Sequence, residues 1–268
     1  MAPSTPPLQR SDAPMLRELY TEFWSRLLPE FVNVGGIEPS PDKVFWVDVP
    51  NPNPQTGSLQ IRTPRGRALS LRKLQMYPTG KKRDLCDAFI QFQHVVRRVA
   101  RSLACPSGLE ILSSNVRVSY VRSYGDPDRT DPDGSGTRQV LNGFHFDMAY
   151  DPHRVFQAAH PIFHVQLDFG AVDKEAIGYP CKETERSIRC EFPRVPTPPM
   201  DLPSVVFLVL ADHMGKNLTG WPRSVEGAVK NLPRLPDWPV TKATEGKGQL
   251  EITSWYGDPV NPPKRPAS

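Results

Sequence analysis

Cysteine is scarce in this chain of 268 residues: Cys86, Cys105, Cys181 and Cys190 are the only four, and no two form a CxxC pair. That argues against a disulfide-stapled fold and against the common zinc-ribbon spacings. Cys181 and Cys190 flank KETERSIR and can face each other across a hairpin, as half a zinc site or as two free thiols; with no second ligand pair nearby, free thiols are expected. No apolar run approaches the roughly 20 residues that cross a bilayer. MAPSTPPLQRSDAP is neither a charged-then-apolar leader nor an amphipathic transit helix. The expectation is a cytoplasmic protein with no membrane partner. Also missing are a glycine-rich phosphate loop, a G-x-S-x-G elbow, an H-E-x-x-H helix and any internal repeat. These absences remove the common nucleotide-binding, serine-hydrolase and zinc-protease signatures.

Proline is abundant, at 31 residues, and it gathers in short clusters that border periodic segments, which reads as rigid loops and frayed ends. The remaining pattern is that of a single α+β domain spanning 1–268. Alternation predicts an antiparallel sheet with core strands at about 115–125, 138–150 and 160–170, and shorter strands within 43–49 and 58–77. Helical spacing predicts covering helices at about 12–31, 83–104 and 202–217. Ser11 is a candidate cap for the first and Asp201 for the third. His94, among the apolar positions of 83–104, is expected to be a packed histidine. A short helix within 221–236 and a last strand at LEITSWYG complete the outline. DPDRTDPDGSG, between the first two core strands, lacks the twelfth-position glutamate of a calcium loop and reads as a solvated hairpin connection.

The net charge of +4 hides an asymmetry. Residues 60–101 carry eleven basic side chains against Asp84 and Asp87, a local +9 that leaves −5 for the rest. Arg65, Arg67, Arg72, Lys73, Lys81, Lys82, Arg83, Arg97, Arg98 and Arg101 are therefore candidates for nucleic-acid contact, because clustered cations are the electrostatic footprint of a phosphate backbone. The alternative is a solvated face that keeps the protein soluble. No aromatic and basic interleaving marks a known nucleic-acid module.

The chemistry concentrates in LNGFHFDMAYDPHRVFQAAHPIFHVQLDFG (141–170), which holds four of the six histidines and three aspartates. Strand alternation sorts them. Phe144, Phe146 and Met148 point one way and His145 and Asp147 the other; Phe163, Val165 and Leu167 oppose His160, His164, Gln166 and Asp168. Since both apolar sides seek one core, both polar sides share the opposite face, where Arg117 and Ser119 of the preceding strand join them. His145, Asp147 and His164 are then candidate ligands for a divalent metal, zinc, manganese or iron, with Asp147 and Asp168 as water activators and Arg117 as a phosphate clamp. His160, Gln166 and His213 are secondary candidates, and His153 falls in a connecting loop. A hydrogen-bonded polar ladder is the plain structural alternative.

These residues support a metal-dependent phosphoester or phosphodiester hydrolase, nuclease-like in character. A non-catalytic metal- or nucleic-acid-binding component of a multi-protein system is the alternative. His145-x-Asp147, His213 and Arg223 also resemble the ligand and co-substrate spacing of iron and 2-oxoglutarate oxygenases, although His213 is expected on a helix, where that family uses a barrel strand. Finally, HPIFHVQLDFG followed by PTPPMDL and a buried helix resembles a group of uncharacterised bacterial proteins encoded near mobile elements and anti-phage genes, some beside ubiquitin-like conjugation components. The resemblance implies a bacterial defence setting with protein partners from the same operon. It transfers no catalytic role.

Overall fold

In a computed structural model the described residues are 5–31, 37–38, 46–47, 57–75, 85–103, 105–123, 138–149, 163–167, 172–177, 181–182, 195–196, 200–214 and 233–236. Their elements, in chain order, are α1 (Ala13–Phe31), β1 (Ile37–Glu38), β2 (Trp46–Val47), β3 (Ser58–Arg62), β4 (Leu69–Gln75), β5 (Leu85–Arg98), β6 (Leu109–Ser123), β7 (Arg138–Ala149), β8 (Phe163–Leu167), α2 (Lys174–Ile177), β9 (Cys181–Lys182), β10 (Val195–Pro196) and α3 (Leu202–Met214). The fold is α+β. Its main sheet has the strand path β1-β4-β5-β6-β7-β8-β10, antiparallel throughout, with β3 also pairing β5 and β2 pairing β3. β9 pairs β7 in parallel. No helix among the described residues is long and apolar enough to cross a membrane.

The segment expected to be a helix at 83–104 is a strand, β5, followed by a turn-rich connection to β6. The reason lies in burial on both faces. Cys86, Ala88, Ile90, Phe92, His94 and Val96 face the main core, while Phe89, on the other phase, joins a second buried cluster. A strand covered on both sides reads as an almost continuous apolar run, and such a run imitates helical spacing. The other two helices form as expected, over Ala13–Phe31 and Leu202–Met214. Ser11 falls inside a short 3₁₀ turn, Arg10–Asp12, that leads into α1, and there Asp12 accepts a bond from the Gln9 N–H at 2.8 Å. Asp201 caps α3 as expected, accepting from the Ser204 N–H at 2.9 Å and the Ser204 hydroxyl at 2.6 Å. Residues within 221–232 and 250–257, where a further helix and strand were expected, lie outside the described residues, as does the 126–136 connection.

The main core sits on one face of the sheet. Leu16, Tyr20, Trp24 and Leu27 of α1 and Leu202, Val205 and Val209 of α3 pack there against Ile61, Leu71, Ile90, Val116 and Phe146. Tyr20 stacks on Phe92, and its hydroxyl meets Nδ1 of buried His94 at 3.0 Å. The opposite face is divided. At one end Ala68, Phe89, Val121 and Val140 are covered by Val172 and Ile177; beyond them the face is polar.

The N-terminal segment, expected to fray, is docked from its first described residues: Leu8 is buried and its N–H donates to the Gly57 carbonyl at 3.0 Å. Gly57 has φ +46°, and a Cβ placed there would lie 2.2 Å from Pro7 Cβ and 3.1 Å from Pro7 Cα. Gly57→Ala therefore combines a left-handed backbone with a clash against the Pro7 ring. It is expected to cost about 2 kcal/mol or more, read as a lower urea midpoint with an unchanged slope.

Between β3 and β4 lies a feature the sequence did not announce. Both strands pair with the same edge of β5, β3 against Gln93–Arg97 and β4 against Leu85–Ile90, so they behave as one strand interrupted at residues 63–68. The interruption is patched by side chains and turns. Thr63 exchanges bonds with Phe92, its N–H donating to the Phe92 carbonyl and its hydroxyl accepting from the Phe92 N–H, both at 3.0 Å. Gln91 donates to the Arg67 carbonyl at 2.9 Å. The loop itself turns through Gly66, at φ +66°, with the Arg67 N–H bonded to the Pro64 carbonyl at 3.1 Å.

Candidate active site on the polar sheet face

Register fixes the site. Arg62, Gln93, Asn115, Asp147 and His164 are successive Cα partners across β3, β5, β6, β7 and β8; Gln91, Arg117, His145 and Gln166 form the next row across β5 to β8. Cross-strand partners share a face. The shared polar face expected for His145, Asp147, His164, Gln166 and Arg117 is therefore what the pairing produces.

Two imidazoles approach one carboxylate oxygen. His145 Nε2 is 2.6 Å from Asp147 Oδ2, and His164 Nε2 is 3.7 Å from the same atom. Asn115, directly opposite Asp147, donates from Nδ2 to Asp147 Oδ1 at 2.6 Å and lies 2.8 Å from His145 Nε2. Arg117 Nε donates to Asn115 Oδ1 at 2.9 Å. This bond fixes the orientation of the Asn115 amide, since a flipped amide would set NH₂ against a guanidinium and oxygen against a carboxylate. His164 is fully buried, His145 and Asp147 are half-buried, and Arg117 is exposed. The cluster thus has a buried floor and an accessible rim.

Burial by itself would push the Asp147 carboxyl up. The hydrogen bond and charge of His145, the bond from Asn115 and the charge of His164 more than offset it, and Asp147 sits below the usual carboxylate range. It is ionised throughout the neutral range, as a metal ligand or an electrostatic anchor must be.

Two histidines and a carboxylate are the right donors, in type and number, for a catalytic metal with open positions. Their spacing is tighter than a metal requires: with bonds of about 2.0–2.1 Å a tetrahedral edge is about 3.3 Å. The His164 to Asp147 separation meets that value, and the His145 to Asp147 separation falls short by about 0.7 Å. In this arrangement no group of three or more His, Cys, Asp or Glu side chains among the described residues is set to hold a metal ion. A small retreat of the His145 ring from Asp147, within the reach of a side-chain rotation, would provide the space.

Asp168, His160, Lys81, Lys82 and Arg83 lie outside the described residues, as do His153, Cys190 and Arg223. His213 is on α3, and α3 packs on the core side of the sheet, the side opposite His145 and Asp147. Cys181 lies on β9, while Cys86 and Cys105 are buried thiols, the Cys105 Sγ donating to the Leu109 carbonyl at 3.4 Å. Burial and the neighbouring Asp87 push the Cys86 thiol up to about 12, which makes it a poor nucleophile. The basic stretch is also less uniform than its composition suggests. Arg97 is paired with its cross-strand partner Glu110, Nε to Oε2 at 2.6 Å, and Arg98 with Asp12 at 2.9 Å. Arg65, Arg67 and Arg101 are exposed, Arg72 is half-buried on β4, and Lys73 lies on the same strand.

Asn115 is the functional candidate that sequence reasoning passed over. Its signal was present, two residues before Arg117 on the same strand phase. Gln91 and Gln93 were hidden by the helical reading of β5. No protein-family model, curated protein or solved structure matches the chain.

Proposed function

We propose that this protein is a metal-dependent phosphoester hydrolase of nuclease-like type, with its reaction centre at His145, Asp147 and His164. The observation that supports this reading most strongly is the convergence of both imidazole Nε2 atoms on Asp147 Oδ2, beside an exposed arginine. Zinc, manganese or iron would be held by His145 Nε2, His164 Nε2 and Asp147. Once bound, such an ion supplies a water deprotonated near neutral pH and polarises the phosphoryl oxygens. The chain's own residues do the rest. Asn115 holds Asp147 in one orientation, Arg117 neutralises the phosphate that approaches the rim, and the buried wall at His164 keeps bulk water out. The exposed Arg65, Arg67 and Arg101 would steer a polyanionic substrate. A bacterial cytoplasmic defence role, with partner proteins from the same operon, is the setting the resemblance favours.

Metal analysis of protein purified without chelator, coupled to hydrolysis of bis(p-nitrophenyl) phosphate, tests the proposal. About one equivalent of metal is expected in the wild type. His145→Ala and Asp147→Ala should each lose it, and chelation should remove hydrolysis that added manganese or zinc restores. Equal metal content in all three proteins would remove this site. A second reading has its own support: Asp147 already meets His145, Asn115 and His164, so the network can satisfy itself as a docking or stabilising ladder in a non-catalytic component. A metal-free, inactive wild type whose melting temperature falls on His145→Ala would select that reading.

A further inference from the structure

The interruption between β3 and β4 opens a cleft of about 160 Å³ on the polar face, walled by Arg62, Thr63, Arg65, Gln93, Arg117 and Asp173, with Asn115 at its edge toward the cluster. Among the described residues that line it, three arginines from two chain segments, the β3–β4 break and β6, stand beside one carboxylate. That carboxylate is itself engaged: Gln91 Nε2 donates to Asp173 Oδ2 at 3.1 Å, and the Asp173 N–H donates back to Gln91 Oε1 at 3.0 Å. The floor is rigid, because Gln91 and Thr63 are buried and bonded to the backbone on both sides of the break. The cleft has room for a phosphate group.

We infer that Arg62, Arg65 and Arg117 form a phosphate subsite separate from the His145, Asp147 and His164 cluster, and that it takes the phosphate next to the one undergoing reaction. The second half of this statement rests on the proposed hydrolase reading; the first half does not. Geometry sets the substrate class. The cleft lies over β5 and the cluster over β7, two strand spacings apart, about 10 Å at 4.7–4.9 Å per spacing. One phosphate cannot occupy both, and the directly bridged phosphates of a nucleotide lie too close together to span them, so the ligand is a nucleic-acid strand, whose phosphates are spaced by a sugar. Arg117 belongs to both sites: it lines the cleft and, through Asn115, touches Asp147. A phosphate in the cleft draws on the same guanidinium that orients the cluster. This couples binding of the neighbouring phosphate to the geometry at Asp147.

Calorimetric titration with ADP and with a 5′-phosphorylated hexanucleotide tests the subsite, using the wild type, Arg65→Gln, Arg65→Lys and Arg26→Gln. Arg65 is on an exposed turn, so its variants are expected to fold, with melting temperatures checked against the wild type. Arg26, an exposed α1 residue paired with Glu22, reports the loss of any surface charge. Arg65→Gln should weaken the better ligand at least tenfold, Arg65→Lys less, and Arg26→Gln not more than twofold. Tighter binding of the hexanucleotide than of ADP is expected, and the reverse order overturns the assignment of the cleft to the neighbouring phosphate of a strand. An Arg65→Gln protein that binds both probes within twofold of wild type overturns the subsite. A further arm separates the two sites: if His164→Ala keeps full hydrolysis while Arg65→Gln loses binding, the reaction centre is wrong and the subsite stands.

Discussion

Asp147→Asn is expected to reduce phosphodiester hydrolysis by about 10³-fold while leaving the fold in place. The substitution preserves the shape of the side chain, and its amide oxygen can still accept the Asn115 bond at Oδ1. What it removes is the negative charge at Oδ2, the one atom both histidines approach. Loss of a preorganised charge from a partly dry site costs about 10²–10³ in rate, and loss of a metal ligand adds to that. The structural consequence is smaller and has a definite sign. Because the folded carboxylate sits below its ordinary range, it contributes stability above pH about 4, and that contribution fades as pH falls toward its folded value. Near neutral pH the Asn variant should be somewhat less stable than wild type, and the gap should close in acid. Steady-state rates and melting temperatures of the same preparations separate the two effects. A variant with wild-type kcat/KM would remove Asp147 from the reaction.

Acid lability of the whole fold is the second large expected effect, and its origin is His94. This ring is fully buried beneath α1, and burial lowers its pKa to about 3. The unfolded chain takes up a proton near pH 6.5, whereas the folded one does not until about pH 3. Stability is therefore complete above pH 6.5 and declines by about 1.4 kcal/mol per unit as pH falls from there toward 3. Over that window the loss is several kcal/mol, a large share of the 5–15 kcal/mol that holds a domain together. His94→Gln should lower stability at pH 7, because the Tyr20 hydroxyl meets His94 Nδ1. It should also remove this part of the slope, so the two urea-unfolding curves converge as the pH is lowered. Parallel pH dependences in the two proteins would show that His94 is protonated or solvated in the folded state.

The site was more legible than the fold around it. For β6, β7 and β8, alternation of period two placed His145, Asp147, His164, Gln166 and Arg117 on one face, because each strand has one apolar side and cannot slip by a residue without burying its charges. β5 was illegible for the opposite reason: with Phe89 covered on one face and Ile90 on the other, its sequence carries no clear period. Misreading it hid Gln91 and Gln93, and with them the cleft. Nor could any local pattern show that Glu110 neutralises Arg97 or that Asp12 neutralises Arg98, since the second pair spans 86 residues. The break at 63–68 is a matter of tertiary pairing, visible only when β3 and β4 are seen to share one neighbour.

The pairing of β7 with β6 also skips a residue: Tyr120 faces Asn142 and Val121 faces Val140, so Leu141 has no place in the register. On one side of this skip, Val140 joins the small cluster with Phe89 and Val121, while on the other Leu141 packs toward the main core. Without it, Val140 and His145, an odd number of positions apart, would project from opposite sides of the sheet. Leu141 thus acts as a parity switch, allowing one continuous strand to serve a hydrophobic lid at one end and an ionised cluster at the other. A strand that kept Leu141 but lost the skip would set the two ends in competition, with either the carboxylate or the valine turned to the wrong side.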